Sequence, residues 1–275
     1  MKFVYFGYDF MLPSVQHLVG QGHELLGILS FECDNIFNFN TASEQYAQSL
    51  GIPFTLSKAE PEHITGFLDK GAQVFLAAGY PYKIPPIPER AYGLNLHPSH
   101  LPKGRGIMPT PYIILGEHEA AGITLHKMTE RFDYGDILLQ QKFDVTPAED
   151  VETYSARIAL TAPYLLAKAF SDLPALWANA QAQSEVTASH FKAPDEGLRT
   201  FRFQMGVEEI LRIARAFGRY GSLTHLGDDR LVVYNLAGWA EAHSYPPGTL
   251  AAVMSRELVV AAKDGFIVLK EFQKV

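Results

Sequence analysis

With Cys33 as its only cysteine in 275 residues, the chain can build neither a disulfide framework nor a thiolate-rich zinc site. A reduced, cytoplasmic compartment is the expectation. Positive charge is also scarce. The 23 Lys and Arg against 30 Asp and Glu leave a formal charge of -7, which offers no global attraction to phosphate backbones or anionic membranes. No Lys or Arg at all occurs from Phe3 to Ser57. Long apolar runs are missing: the opening MKFVYFGYDF is broken by Gly7 and Asp9, too soon for a signal peptide or a membrane span. That opening also lacks the G-x-G-x-x-G pattern, so a nicotinamide-dinucleotide reading fails at its first requirement. No internal repeat or low-complexity tract is present.

What the chain has is apolar content, 47% hydrophobic residues, enough to bury a substantial core and to support one large and one small domain. Residues 3 to 7 are β-favouring, and a helical pattern follows at 13 to 20 with Pro13 suited to a first turn. Apolar runs at 25 to 29 and 73 to 78, with helical patterns around 43 to 50 and 61 to 69, continue the alternation. Strand signals at 92 to 96, 121 to 127 and 136 to 144 precede a long amphipathic segment, 151 to 173. This order predicts an α/β fold with a doubly wound, mostly parallel, Rossmann-like sheet over 1–185. Residues 186–204, with HFKAPDEG, are a linker. Residues 205–275 then hold one helix at about 206 to 217 and short runs at 222 to 226, 230 to 235, 248 to 254, 257 to 262 and 266 to 272. Glycine and proline punctuate them, which predicts a small β-rich, barrel-like carboxyl-terminal domain.

Two clusters carry the chemistry. In GLNLHPSHLPKGRG, Asn95 and His97 lie two apart at the end of a strand, so their side chains leave the same face at its carboxyl end. Open α/β sheets place ligands at that end. An amide beside an imidazole suits an oxygen on which negative charge develops, with the imidazole donating or moving a proton. In ERFDYGDILL, Asp133 precedes a glycine turn and can reach the same crevice, where a carboxylate would raise the pKa of His97 and orient it. The competing reading of His97 with His100 as a metal pair has Pro98 between them and no further His/Cys cluster to complete it. No metal is expected.

The runs NLHPSHLPKGRG and FDYGDIL resemble the signature of the 10-formyltetrahydrofolate-dependent formyltransferases, a family that includes the methionyl-tRNA and nucleotide-sugar enzymes. The resemblance extends through FGYDFMLPS, FLAAGYPYKIP and ILGEHEAAGITLHKM, and into IARAFGRYGSLT and PPGTL, so it covers nearly the whole chain. It implies formyl transfer from 10-formyltetrahydrofolate to a primary amine, with Asn95, His97 and Asp133 catalytic. Asn95 would hold the formyl oxygen; His97 would act as base or cation; Asp133 would tune it. The resemblance also implies that the pteridine lies against Ala78, Gly79, Tyr80 and Tyr82 and against Tyr134, Gly135 and Asp136, largely through main chain. The match lapses at Tyr8, Asp9 and Phe10, which replace the family's usual Thr-Pro-Glu-Phe with one residue fewer.

For the acceptor, the stretch FECDNIFNFN stands where the family's transfer RNA enzymes carry a basic loop, and residues 195–275 hold 10 Lys and Arg against 10 Asp and Glu. A small amine, foremost a nucleotide-linked amino sugar, is therefore preferred over transfer RNA as partner. Phe37, Phe39 and Tyr46 are aromatic candidates for stacking on it, with ordinary packing as their alternative. Two other classes compete: a folate-binding module without turnover, and a metal-dependent hydrolase.

Overall fold

The computed structural model describes residues 1–36 and 38–275, so Phe37 lies outside the described residues. By internal contacts the chain divides into two compact units. The first comprises Met1–Pro109, Glu119–Asp144 and Ser155–Phe191; the second comprises Thr110–His118, Val145–Tyr154 and Lys192–Val275.

In chain order the first half runs β1 (Lys2–Gly7), α1 (Leu12–Gly20), β2 (Glu24–Ser30), α2 (Thr41–Leu50), β3 (Phe54–Leu56), α3 (Pro61–Asp69), β4 (Val74–Ala78) and β5 (Tyr92–His97). It continues with α4 (Pro109–Leu115), β6 (Gly122–Lys127), β7 (Ile137–Lys142), α5 (Val151–Ser171) and α6 (Leu173–Ala178). The seven strands form one sheet in the order β3-β2-β1-β4-β5-β6-β7. β1 to β5 pair in parallel, and the order reverses between β1 and β4, the switch point at which doubly wound sheets open a ligand crevice. β6 runs antiparallel to both β5 and β7, so the sheet is mostly parallel, as expected, with one reversed strand.

Both faces of the sheet are covered, which is why β1 and β4 read as continuous apolar runs rather than alternating ones. Val4 and Phe6 of β1 and Phe75 and Ala77 of β4 pack with Ile64 and Phe67 of α3. Phe3, pointing the other way, meets Phe170 of α5 edge-on at 5.6 Å. Local signals set the helix ends. Pro61 opens α3, where Glu60 and His63 form a reciprocal capping box. α2 closes on Gly51 in the left-handed region at φ 65°. At its start the Asp9 carboxylate accepts the amides of Ala42 at 3.0 Å and Ser43 at 2.7 Å, so a residue from the β1–α1 loop caps α2.

The second unit holds α7 (Val207–Phe217) and a five-stranded antiparallel sheet, β8 (Ser222–Leu226), β9 (Asp229–Ala240), β10 (Leu250–Val253), β11 (Leu258–Ala261) and β12 (Gly265–Lys274). Its strand order is β10-β11-β12-β9-β8. α7 buries Val207, Ile210, Ile213, Ala216 and Phe217, one stripe at helical spacing, and its opposite face stays polar. Among the described residues, no helix is long and apolar enough to cross a membrane.

The central packing has a measurable consequence. Replacing Phe75, which is fully buried, with Ala removes a ring from the α3-side core and should destabilise the fold by about 3–5 kcal/mol in urea denaturation. A loss under about 1 kcal/mol would show that this core does not hold the sheet.

Candidate active site

Asn95 and His97 stand at the carboxyl end of β5, two residues apart. The antiparallel register sets Asn95 opposite His126 and His97 opposite Thr124. The Asn95 side-chain amide donates to His126 Nε2 at 3.0 Å and to Asp133 Oδ1 at 3.3 Å. His97 Nε2 lies 2.8 Å from the Gly104 carbonyl, which can only accept, so that nitrogen carries a proton. His97 Nδ1 faces Asp133 Oδ1 at 3.3 Å. The other carboxylate oxygen, Oδ2, accepts the backbone amide of Gly106 at 2.9 Å. The expected trio therefore meets at one place.

Sequence reasoning did not single out His126. Its Nδ1 donates to the Lys127 carbonyl at 2.8 Å, which leaves Nε2 to accept from Asn95. The motif ITLHKM contained it, but only the β5–β6 register reveals that it faces Asn95. The Gly106 amide was equally invisible, because a backbone donor has no side-chain signature.

The electrostatics follow from burial. His97 is 5% and Asp133 7% exposed. Burial, the largest influence, pulls the His97 pKa below its ordinary 6.5, although Asp133 acts in the opposite direction. Burial also works to raise Asp133, but its neighbours His97 and His126 and the Gly106 amide outweigh it. The carboxyl is held well below the usual carboxylate range. At neutral pH the pair is thus an ionised Asp133 beside a neutral imidazole whose bare nitrogen is Nδ1.

Asp133 sits at φ 63°, in the left-handed region that costs a non-glycine residue roughly 1 kcal/mol. The turn brings the carboxylate back toward β5 while the chain moves on to Gly135. A Cβ at Gly135 would lie 1.8 Å from the Lys127 carbonyl, so this position has room only for glycine. Tyr134 lies between two guanidinium groups, Arg105 at 3.7 Å and Arg131 at 3.6 Å from its ring. Asp136 pairs with Lys127 at 3.1 Å. At the end of β4, Ala78 is buried and Gly79, at φ 70°, approaches Tyr8 so closely that a Cβ would fall 2.6 Å from its ring. Tyr80 turns inward: its hydroxyl donates to the Ser57 carbonyl at 2.7 Å, and burial pushes its pKa up to about 12. Its side chain therefore belongs to the core, and any ligand contact there falls to the backbone. Tyr82 is exposed and meets Tyr80 edge-on.

The remaining candidates are scattered. Phe39 is exposed and Tyr46 half-buried. His97 faces Gly104 and Asp133, whereas His100 lines a separate cavity with Lys103, Glu119 and Lys142. Among the described residues, no group of three or more His, Cys, Asp or Glu is arranged to hold a metal ion.

A family model described as formyl transferase matches residues 21–170, and one described as formyl transferase, C-terminal domain, matches residues 197–275. The chain belongs to the formyl transferase family, whose members are enzymes that transfer formyl groups. It is similar to the methionyl-tRNA formyltransferase of Rickettsia bellii (strain RML369-C), 22% identical over 285 residues, covering 100% of this chain and 92% of that one. The methionyl-tRNA formyltransferase of Coprothermobacter proteolyticus is 26% identical over 284 residues, with the same coverages of 100% and 92%. Among solved structures, HypX from Aquifex aeolicus in complex with tetrahydrofolic acid matches at a TM-score of 0.71 and 14% identity, over 100% of this chain and 44% of HypX. The N-formyltransferase from Helicobacter canadensis with folinic acid and dTDP-3-aminofucose matches at 0.67 and 17% identity, over 100% and 99%. At such identities the structural likeness shows the fold.

Both buried groups make the protein acid-sensitive in the same direction. Asp133 has a depressed folded-state pKa, so its stabilisation is present above the ordinary carboxylate value and is lost as pH falls below it. His97 is also depressed, so the unfolded chain takes up its proton first and stability falls as pH drops through 6.5. Denaturation midpoints measured from pH 7 to 5 should decline less steeply in His97→Asn than in the unaltered protein. Equal slopes would mean that His97 titrates alike in both states.

Proposed function

We propose that this chain transfers a formyl group from 10-formyltetrahydrofolate to the primary amine of a small acceptor, foremost a nucleotide-linked amino sugar, in the cytoplasm. The observation that carries the reading is the placement of the two His97 ring nitrogens, Nε2 on the Gly104 carbonyl and Nδ1 beside Asp133. With its Nε2 proton committed to the Gly104 carbonyl, the imidazole has one free site, Nδ1, and that site is flanked by the Asp133 carboxylate. A proton taken from an attacking amine by Nδ1 would be bonded by the ionised carboxylate, which favours its transfer to the ring.

When bound, the folate supplies an activated formyl carbonyl. The donor set fits such a group: one amide, one imidazole and one carboxylate converge at the carboxyl end of β5, beside the strand that borders the sheet switch point. Asn95 Nδ2 is the donor for the oxygen on which negative charge builds. Its longer bond, the 3.3 Å contact to Asp133, is the one to be exchanged for that oxygen, while the 3.0 Å bond to His126 keeps the amide aimed. His97 Nδ1 receives the amine proton, and Asp133 holds the resulting imidazolium. The same proton can then return to the departing nitrogen.

A small acceptor is supported by the sequence between Phe3 and Ser57, which carries no Lys or Arg. Asp9, Glu32 and Asp34 there lie close enough to Cys33 to act with its burial in raising the thiol pKa to about 11. That stretch offers no cationic side chain to a polyphosphate backbone. The Helicobacter canadensis structure, which contains dTDP-3-aminofucose, covers the full length of this chain. A second reading, transfer to methionyl-tRNA, is favoured by the names of the curated relatives, which match over the full chain.

A panel assay separates these. With 10-formyltetrahydrofolate as donor, the protein should formylate a nucleotide-linked 3-amino or 4-amino sugar and leave charged methionyl-tRNA unmodified; the reverse outcome would establish the transfer RNA reading. In Asn95→Ala, turnover should fall about 100-fold to 1,000-fold while donor affinity changes by less than about threefold. Undiminished turnover in that variant would remove Asn95 from the chemistry.

A further inference from the structure

We infer that Gln183 is a positioning residue for the Asp133 carboxylate, the part through which segment 181–191 governs the base; this rests on the function proposed above. The side chain of Gln183 is fully engaged. Its amide nitrogen donates to the carbonyls of Asp133 and Gly135, each at 2.8 Å, and its oxygen accepts Arg105 Nε at 3.0 Å. Two carbonyls separated by a single residue point at one donor, and that convergence is what keeps Asp133 at its left-handed φ of 63°.

The opposite end of the clasp is equally specific. Arg105 is 1% exposed, stacked on Tyr134 and held by Glu185 through two bonds, Nη1 at 3.1 Å and Nη2 at 2.9 Å. Its backbone amide donates to the Ser189 carbonyl at 3.0 Å, and its carbonyl accepts the Phe191 amide at 2.7 Å. Three consecutive residues of this loop then each fix one part of the base. The Gly104 carbonyl accepts the His97 Nε2–H, Arg105 donates to Gln183, and Gly106 donates to the Asp133 carboxylate. Asp133 is thereby held at its carboxylate by Gly106 and at its carbonyl by Gln183, and removing either contact frees the carboxylate to swing away from His97. Gln183 touches none of the reacting atoms, so its effect passes through Asp133.

Two variants test this. Gln183→Glu keeps the acceptor for Arg105 but turns an oxygen on both carbonyls, so the fold is retained and the turn is pushed apart. Its kcat should fall about 100-fold, with the KM for 10-formyltetrahydrofolate changed less than about threefold. Gln183→Met keeps the volume and introduces no charge, so NMR titration of the His97 ring reads Asp133 alone. The charged or titratable groups facing that ring are Asp133, His126 and His190, and only the first opposes the acid shift. The His97 midpoint should therefore move to lower pH in Gln183→Met. Unchanged kcat in Gln183→Glu, or an unmoved His97 midpoint in Gln183→Met, overturns the inference. The titration needs no turnover, so absence of formyl transfer by the unaltered protein would count against the proposed function alone.

Discussion

A carboxylate and an imidazole buried side by side are stable only if each is given partners that water no longer supplies. Here Asp133 is placed against His97 and His126, the larger influences, and its Oδ2 accepts the Gly106 amide at 2.9 Å. Together they hold the carboxylate ionised in a place where burial alone would protonate it, and the Gly106 bond leaves Oδ1 to face His97 and Asn95. The Gly104 carbonyl does the complementary task for the imidazole by claiming Nε2. One short loop after β5 thus contacts both members of the pair through its backbone, and the chemistry is a consequence of backbone geometry as much as of side-chain identity.

The sheet explains why such a loop can be built. β5 ends at the carboxyl edge next to the β1–β4 switch point, and the reversed strand β6 returns along it, presenting His126 to Asn95. The chain then turns through Asp133 and Gly135 before β7 begins. An all-parallel continuation would need a crossover helix between these strands, which would take the carboxylate elsewhere. The antiparallel return is what allows residues from 95 to 136 to close on one point.

Much of this was legible in the sequence. Continuous apolar runs at β1 and β4, helix periodicity at α2 and α3, and the glycine-punctuated runs of the terminal sheet all reflect local chemistry that a single chain displays. The trio was legible because Asn95 and His97 share strand parity and Asp133 precedes a glycine. β3 and α4 were not, being three and seven residues long and too short for a periodic signal. The long segment expected at 151 to 173 ends at Ser171, where Asp172 leaves helical geometry and α6 restarts. β9 reaches Ala240, beyond the run at 230 to 235, because pairing with β12 rather than hydropathy carries its far end. His126, Gly106 and Gln183 escaped because their roles depend on register and on contacts between residues 27 to 50 positions apart, which spacing does not encode.

The central claim is that His97 at neutral pH is an imidazole protonated on Nε2 and bare on Nδ1, beside an ionised Asp133. Nitrogen-15 shifts of the His97 ring in selectively labelled protein measure this directly. A protonated Nε2 and an unprotonated Nδ1 are expected at pH 7, with Nδ1 taking up a proton only as pH falls below 6.5. A ring carrying its proton on Nδ1 at pH 7, with Nε2 bare, would contradict it.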